Sequence, residues 1–133
     1  MKIGINCGHT ISGPGYGAVG IIKESEHTRR IGNALRDQLK AAGIETVDCT
    51  IDRADTQREY LQMATALANK EDLDWFISIH FNASPGHLGQ GVEIYTYEGR
   101  QYEEAVNICA NFAKWGLKNR GVKKGNGLYL IRK

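Results

Sequence analysis

The sequence lacks any apolar run approaching the roughly 20 residues that a membrane-spanning helix needs, so no membrane partner is expected. Charge of one sign is lacking too. Seventeen Lys and Arg stand against 15 Asp and Glu, a formal +2, which is too balanced to argue for nucleic acid and at most eases approach to an anionic polymer. Cysteine is scarce and unpatterned: Cys7, Cys49 and Cys109 are odd in number and without C-x-x-C spacing, which excludes a disulfide framework and a cysteine-rich zinc site. Cys49 and Cys109 fall in apolar patterns and read as buried thiols behaving as small hydrophobes. Cys7 shares a strand face with His9 by alternation and is either a metal ligand or ordinary packing. There is no internal repeat, linker or low-complexity tract. The opening MKIGINCGHT has no apolar stretch of signal-peptide length, so synthesis in the cytoplasm without a signal peptide is expected.

What is present is one domain's worth of chain, 133 residues, in which strands and helices alternate. Lys2 to Cys7 reads as a first strand, followed by a glycine-rich loop from Gly8 to Gly20. A helix fits from about Glu24 to Ala42, its apolar stripe made of Ile31, Leu35 and Leu39 with Ala34 and Ala42 beside them, and Gly43 stands at its C-terminal stop. Ile44 to Cys49 is the second strand. Thr56 followed by Glu59 is a capping-box signature for a helix to about Lys70. Asp74 to His80, apolar until its end, suits a strand covered on both faces, and Gly91 to Tyr97 is a fourth strand. A helix from about Gln101 to Asn119, stopped by Gly121, and a last short strand, Leu128 to Ile131, close the chain. The alternation predicts an α/β fold: a mostly parallel sheet with helices on both faces, in three layers and one domain. The chain ends directly after that strand, which suggests that a final element is missing.

In an open α/β sheet, ligands bind beyond the carboxyl ends of the strands. His9 lies two residues past the first strand, His80 closes the third, and Glu24 opens the helix that begins at the same edge. Two imidazoles and a carboxylate are a ligand set for catalytic zinc, with a fourth position left for water. Each residue also has a plainer reading: a histidine after a strand as a surface or capping group, and Glu24 as a favourable charge at a helix N-terminus. His27, one turn along the helix, and His87, in a loop, read as solvated, and Glu26 faces another side of the helix from Glu24. Gly15-Tyr16-Gly17-Ala18-Val19-Gly20 matches the G-x-G-x-x-G string of dinucleotide sites. That fingerprint must follow the strand at once and open the helix; here seven residues intervene, so a flexible loop flanking a substrate groove is the better reading.

The strings G-H-T at 8–10, G-I-I-K-E at 20–24, S-I-H-F-N-A at 78–83 and G-V-E-I-Y at 91–95 resemble, in order and over almost the whole chain, the zinc-dependent N-acetylmuramoyl-L-alanine amidases. The likeness is to catalytic domains of phage and prophage endolysins and autolysins. The resemblance implies one Zn2+ held by His9, Glu24 and His80, and peptidoglycan as the partner, cut at the amide between N-acetylmuramic acid and the L-alanine of the stem peptide. It also implies action on the cell wall after release by lysis. Asn82 either hydrogen-bonds substrate or makes a local turn bond. The family carries a further glutamate, a general base, on a segment resembling P-A-V-L-I-E, and no such string occurs here. The expectation is therefore an amidase-like domain over 1–133 without its last strand and helix, its catalytic base unassigned. The alternative is an inactive fragment that binds zinc and peptidoglycan, with an open sheet edge that invites self-association. Glu93, within G-V-E, receives no role without geometry.

Overall fold

In the computed structural model, residues 1–84, 86 and 88–133 are described. The chain divides into two compact units, Met1–Ala83 and Ser84–Lys133.

In the first unit, β1 (Lys2–Cys7), α1 (Glu24–Ala41), β2 (Glu45–Asp48), α2 (Gln57–Lys70) and β3 (Trp75–Ile79) follow one another. The strands pair in the order β2-β1-β3, both pairs parallel, as expected of strands joined by helical crossovers. β1 is central, and its side chains divide by alternation. Ile5 and Cys7 face α1, where a Cβ on Gly32 would meet the Cys7 Sγ and lie near Ile5 and Ile79. Asn6 faces α2 and meets Tyr60. Helices therefore cover both faces, and Ile5, Asn6 and Cys7 are fully buried between them. Cys7 is a packing residue, which settles its two readings.

The buried stripe of α1 is rotated from the expected one. Thr28 and Gly32 are buried, Leu35 and Leu39 are half-buried, and Ile31 is half exposed. Because Gly32 has no side chain, the helix rests on the Cys7 thiol rather than on its largest apolar residues. The capping signature at the start of α2 is used with one shift: Thr56 Oγ1 accepts from the Glu59 amide at 3.0 Å, while the Glu59 carboxylate accepts from the amide of Asp55, one residue before the cap, at 2.7 Å.

The second unit holds β4 (Val92–Thr96), a 3-10 turn (Tyr97–Gly99), α3 (Glu103–Lys114), β5 (Asn119–Lys124) and a helical turn, α4 (Tyr129–Arg132). β4 and β5 pair in parallel, and α3 lies against both strands with Ala105 and Cys109 buried. Two expectations are corrected here. The long helix stops at Lys114, because the Gly116 and Leu117 amides bond back to Ala113 and Phe112 in a helix-terminating turn. The last strand is Asn119–Lys124, whereas Leu128 to Ile131 falls in a helical turn. Gly121, read as a helix stop, sits inside β5 with φ 76°. There the register slips from Val92↔Asn119 to Ile94↔Val122, so it is the glycine of a β-bulge. Cys49 and Cys109 are buried free thiols, as read. No helix among the described residues is long and apolar enough to cross a membrane.

Candidate metal centre

The carboxyl ends of β1 and β3 lie side by side, Cys7 opposite Ile79, and the Gly8 amide continues that pairing by donating to the Ile79 carbonyl at 2.9 Å. His9 and His80 therefore leave adjacent strand ends. Gly8 is required by close approach: a Cβ there would lie 2.4 Å from the His80 ring and 2.6 Å from the Ile79 carbonyl oxygen. The loop after His9 returns to open α1 at Glu24, whose amide donates to the Ala18 carbonyl.

This topology brings three donor atoms together. His9 Nε2 is 3.2 Å from Glu24 Oε1, His80 Nδ1 is 3.1 Å from the same oxygen, and the two imidazole nitrogens are 3.1 Å apart. Donors held tetrahedrally at about 2.0–2.1 Å from one ion are roughly 3.3 Å apart, so the triangle has the size of one face of such a site. Among the described residues this is the group of His, Cys, Asp and Glu that could hold a metal ion. Exposure rises across it: the side chains of Glu24, His9 and His80 are 6%, 21% and 38% exposed. The set therefore opens toward solvent on the His80 side.

The surroundings fix the donors' chemistry. His9 Nδ1 lies 2.9 Å from the Gly15 carbonyl, which can only accept, so Nδ1 carries a proton and Nε2 is the nitrogen turned to Glu24 and His80. Burial would raise the Glu24 carboxyl. Hydrogen bonds from His80, His9 and the amides of Ala18 and Phe81 outweigh it and hold the group well below the usual carboxylate range. His9 is raised, chiefly by its bond to Glu24, against the opposing effect of burial. The anion is thus secured inside the fold as a carboxylate.

Several supports were not legible in the sequence. Tyr60 of α2 accepts the His9 amide proton on its hydroxyl at 2.8 Å, and burial raises the phenol, keeping that hydroxyl neutral. Arg29 donates to the His9 carbonyl at 3.0 Å and to Asp52 at 2.7 and 2.9 Å. Thr28 Oγ1 donates to the Gly8 carbonyl at 3.1 Å. The only signal available was position, since Thr28 and Arg29 lie about one turn beyond Glu24.

The other candidates fall elsewhere. Glu26 is exposed and paired with Lys23 at 3.1 Å. His27 is half-buried, its Nδ1–H donating to the Lys23 carbonyl and its ring edge-on to Phe81 at 6.1 Å, so it is less solvated than the sequence suggested. His87 lies outside the described residues. Asn82 is exposed in the segment after β3. Glu93 is committed to ion pairs with Lys123 and Arg120 and accepts from the Tyr95 hydroxyl; hydrogen bonding to Lys123 foremost holds its carboxyl low, which does not suit a proton-shuttling base. The Gly15–Gly20 string does not open α1, which begins at Glu24. Its first glycine instead supplies the carbonyl that orients His9, so this part of the loop is tied to the site.

Residues 3–133 match a family model described as N-acetylmuramoyl-L-alanine amidase. Two proteins of Clostridium perfringens are similar: the uncharacterized protein CPE1502, 38% identical over the whole chain, and an uncharacterized 38.4 kDa protein, 33% identical. The N-acetylmuramoyl-L-alanine amidase CwlM of Bacillus licheniformis is 30% identical over 95% of the chain. The chain spans only 40%, 40% and 49% of these relatives' lengths. Among solved structures, the catalytic domain of the amidase CwlV from Bacillus (Paenibacillus) polymyxa var. colistinus superposes with a TM-score of 0.76 at 25% identity, covering 99% of this chain and 73% of that one. The amidase AmiC2 of Nostoc punctiforme gives 0.78 at 25%, covering 99% and 72%. The fold is also that of the CwlD amidase of Clostridioides difficile, solved in complex with the GerS lipoprotein, at a TM-score of 0.86 and 20% identity over 99% and 76%.

Proposed function

Since the chain belongs to the N-acetylmuramoyl-L-alanine amidase family, we propose that it is the metal-binding part of a zinc-dependent peptidoglycan hydrolase of the endolysin or autolysin kind. The bond cut is the amide between N-acetylmuramic acid and the L-alanine of the stem peptide. The observation that carries this reading is the convergence of His9 Nε2, Glu24 Oε1 and His80 Nδ1 at 3.1–3.2 Å. These residues would hold one zinc ion, and the donor set fits it: two imidazole nitrogens, one on a ring oriented by a backbone carbonyl, and a carboxylate kept ionised. When bound, zinc supplies polarisation of the amide carbonyl and a water acidic enough to yield hydroxide near neutral pH.

The chain's own residues do the rest. Glu24 brings a buried negative charge that favours a cation at its Oε1. The Phe81 and Ala18 amides hold that carboxylate so that it does not swing away. His80, the most exposed of the three, borders the side from which substrate would enter. Asn82, exposed two residues further on, is the side chain we assign to substrate hydrogen bonding. The enzyme would meet its substrate in the wall after release from the cell, and an unpaired sheet edge would let two copies associate.

The test is release of new L-alanine amino termini from purified Gram-positive cell walls, with and without a chelator, for the wild type and His80→Ala. Cleavage lost in both the chelated protein and the variant is expected; cleavage indifferent to both would overturn the zinc mechanism. Retention on the wall without new amino termini would instead make these 133 residues a wall-binding module.

A further inference from the structure

We infer that Tyr60 is a positioning residue for His9, its hydroxyl fixing the left-handed backbone that aims the His9 ring at Glu24 and His80. The inference rests on the zinc reading of the site. His9 has φ 70°, a conformation that among the described non-glycine residues only Glu98 shares. A side chain with a Cβ disfavours it, so contacts beyond the residue must hold it there.

Three bonds do so, one to each remaining polar atom of His9. The amide donates to the Tyr60 hydroxyl at 2.8 Å, the carbonyl accepts from Arg29 at 3.0 Å, and Nδ1–H donates to Gly15 at 2.9 Å. Only Nε2 is left over, and it is the atom that faces Glu24 and His80. Of the three supports, Tyr60 alone is carried on α2. Its hydroxyl donates in turn to Asn6 Oδ1 at 3.3 Å, and that oxygen also accepts from Ser78 Oγ at 2.8 Å. The Asn6 side-chain amide donates to the Cys49 carbonyl at 2.8 Å. One hydroxyl thus ties the His9 peptide to β1, to β3 and to the residue that follows β2. The Tyr60 ring also lies parallel to the His9 ring, the planes 8° apart and the centroids at 6.4 Å. Tyr60→Phe therefore deletes the hydrogen bond and keeps the ring. With its acceptor gone the His9 amide is unsatisfied, and the residue relaxes out of the left-handed conformation.

The test is competition with a chromogenic zinc chelator on the purified chain, comparing the wild type, Tyr60→Phe and Ile3→Val. The last loosens the core at the opposite end of β1. Tyr60→Phe is expected to weaken zinc binding by about 10- to 100-fold, the range for loss of a group that orients a metal ligand, and to alter the visible spectrum of the cobalt-loaded protein. In the metal-free proteins, the His9 amide proton should exchange faster in Tyr60→Phe than in either of the others. Zinc affinity of Tyr60→Phe within twofold of wild type would overturn the inference. So would an equal loss of affinity in Ile3→Val, which would trace the effect to stability alone. A wild-type chain that takes up no zinc would overturn the reading of the site and the inference with it, whereas failure of Tyr60→Phe alone leaves that reading standing.

Discussion

At the scale of single residues, the molecule keeps two carboxylates ionised by giving each defined partners. Glu24 is held so inside the fold and Asp48 at its surface. Burial raises the Asp48 carboxyl, but Arg36 and the Thr50 amide and side chain outweigh it and leave the group below its ordinary 3.8. A depressed folded value means that the contribution to stability is present above the unfolded value. It is lost as pH falls from about 4 through the folded value. Because the Asp48 side chain is half exposed, solvent screens the pair. Asp48→Asn should therefore cost no more than about 1 kcal/mol at pH 7. Urea titrations at pH 7 and pH 3 check this: the wild-type advantage should shrink at the lower pH. At this scale the sequence revealed the residues whose chemistry is written in their type. His9, Glu24 and His80 stand at the ends of readable elements, so their convergence could be worked out from topology. Tyr60 and Arg29 could not be found that way, because each acts on a backbone atom of His9, and the path of the intervening loop decides whether they meet it.

At the scale of elements, the close seating of α1 on β1 depends on Gly32. Adding a methyl there drives it into the Cys7 Sγ at 2.3 Å. Overpacking of this kind costs about 1–3 kcal/mol, against which alanine regains roughly 1 kcal/mol in helix propensity. Gly32→Ala should thus lose on the order of 1 kcal/mol net. In a Cys7→Ala background, which vacates the space, the same change should be neutral or stabilising. A double-mutant cycle by thermal denaturation measures the coupling, and additive effects would contradict the contact. The apolar run that became β3 was the easiest to read as a strand, although it lies at the edge of its sheet and its residues are half-buried rather than covered on both faces. β5 was the hardest. Asn119–Lys124 has one β-branched residue, Val122, and three cations, and it persists as a strand because Glu93 on β4 pairs with Arg120 and Lys123. A neighbouring strand supplies what local pattern lacks, and the bulge at Gly121 hides the two-residue period that a strand search needs.

At the scale of the whole molecule, the proposed zinc should couple to folding, because the donor triangle is assembled by the tertiary structure. Free zinc at 100 times its dissociation constant should stabilise the wild type by about 2.7 kcal/mol, seen as a higher melting temperature that chelation reverses. His80→Ala should melt at one temperature with or without the metal. Scanning calorimetry of the four samples checks this, and an equal shift in the variant would place the metal elsewhere. The parallel α/β plan was legible from the alternation of elements, whereas the division into two units was not, since no linker marks it. The charge is unevenly shared: residues 1–83 hold nine Lys and Arg against eleven Asp and Glu, and residues 84–133 eight against four. All three converging donors and every named support, from Asn6 to Phe81, lie before Ser84. The proposed chelating residues and their supports consequently occupy one continuous stretch of the chain. Recombination downstream of that stretch would exchange the remainder of a gene while passing on each donor together with the partners that aim it.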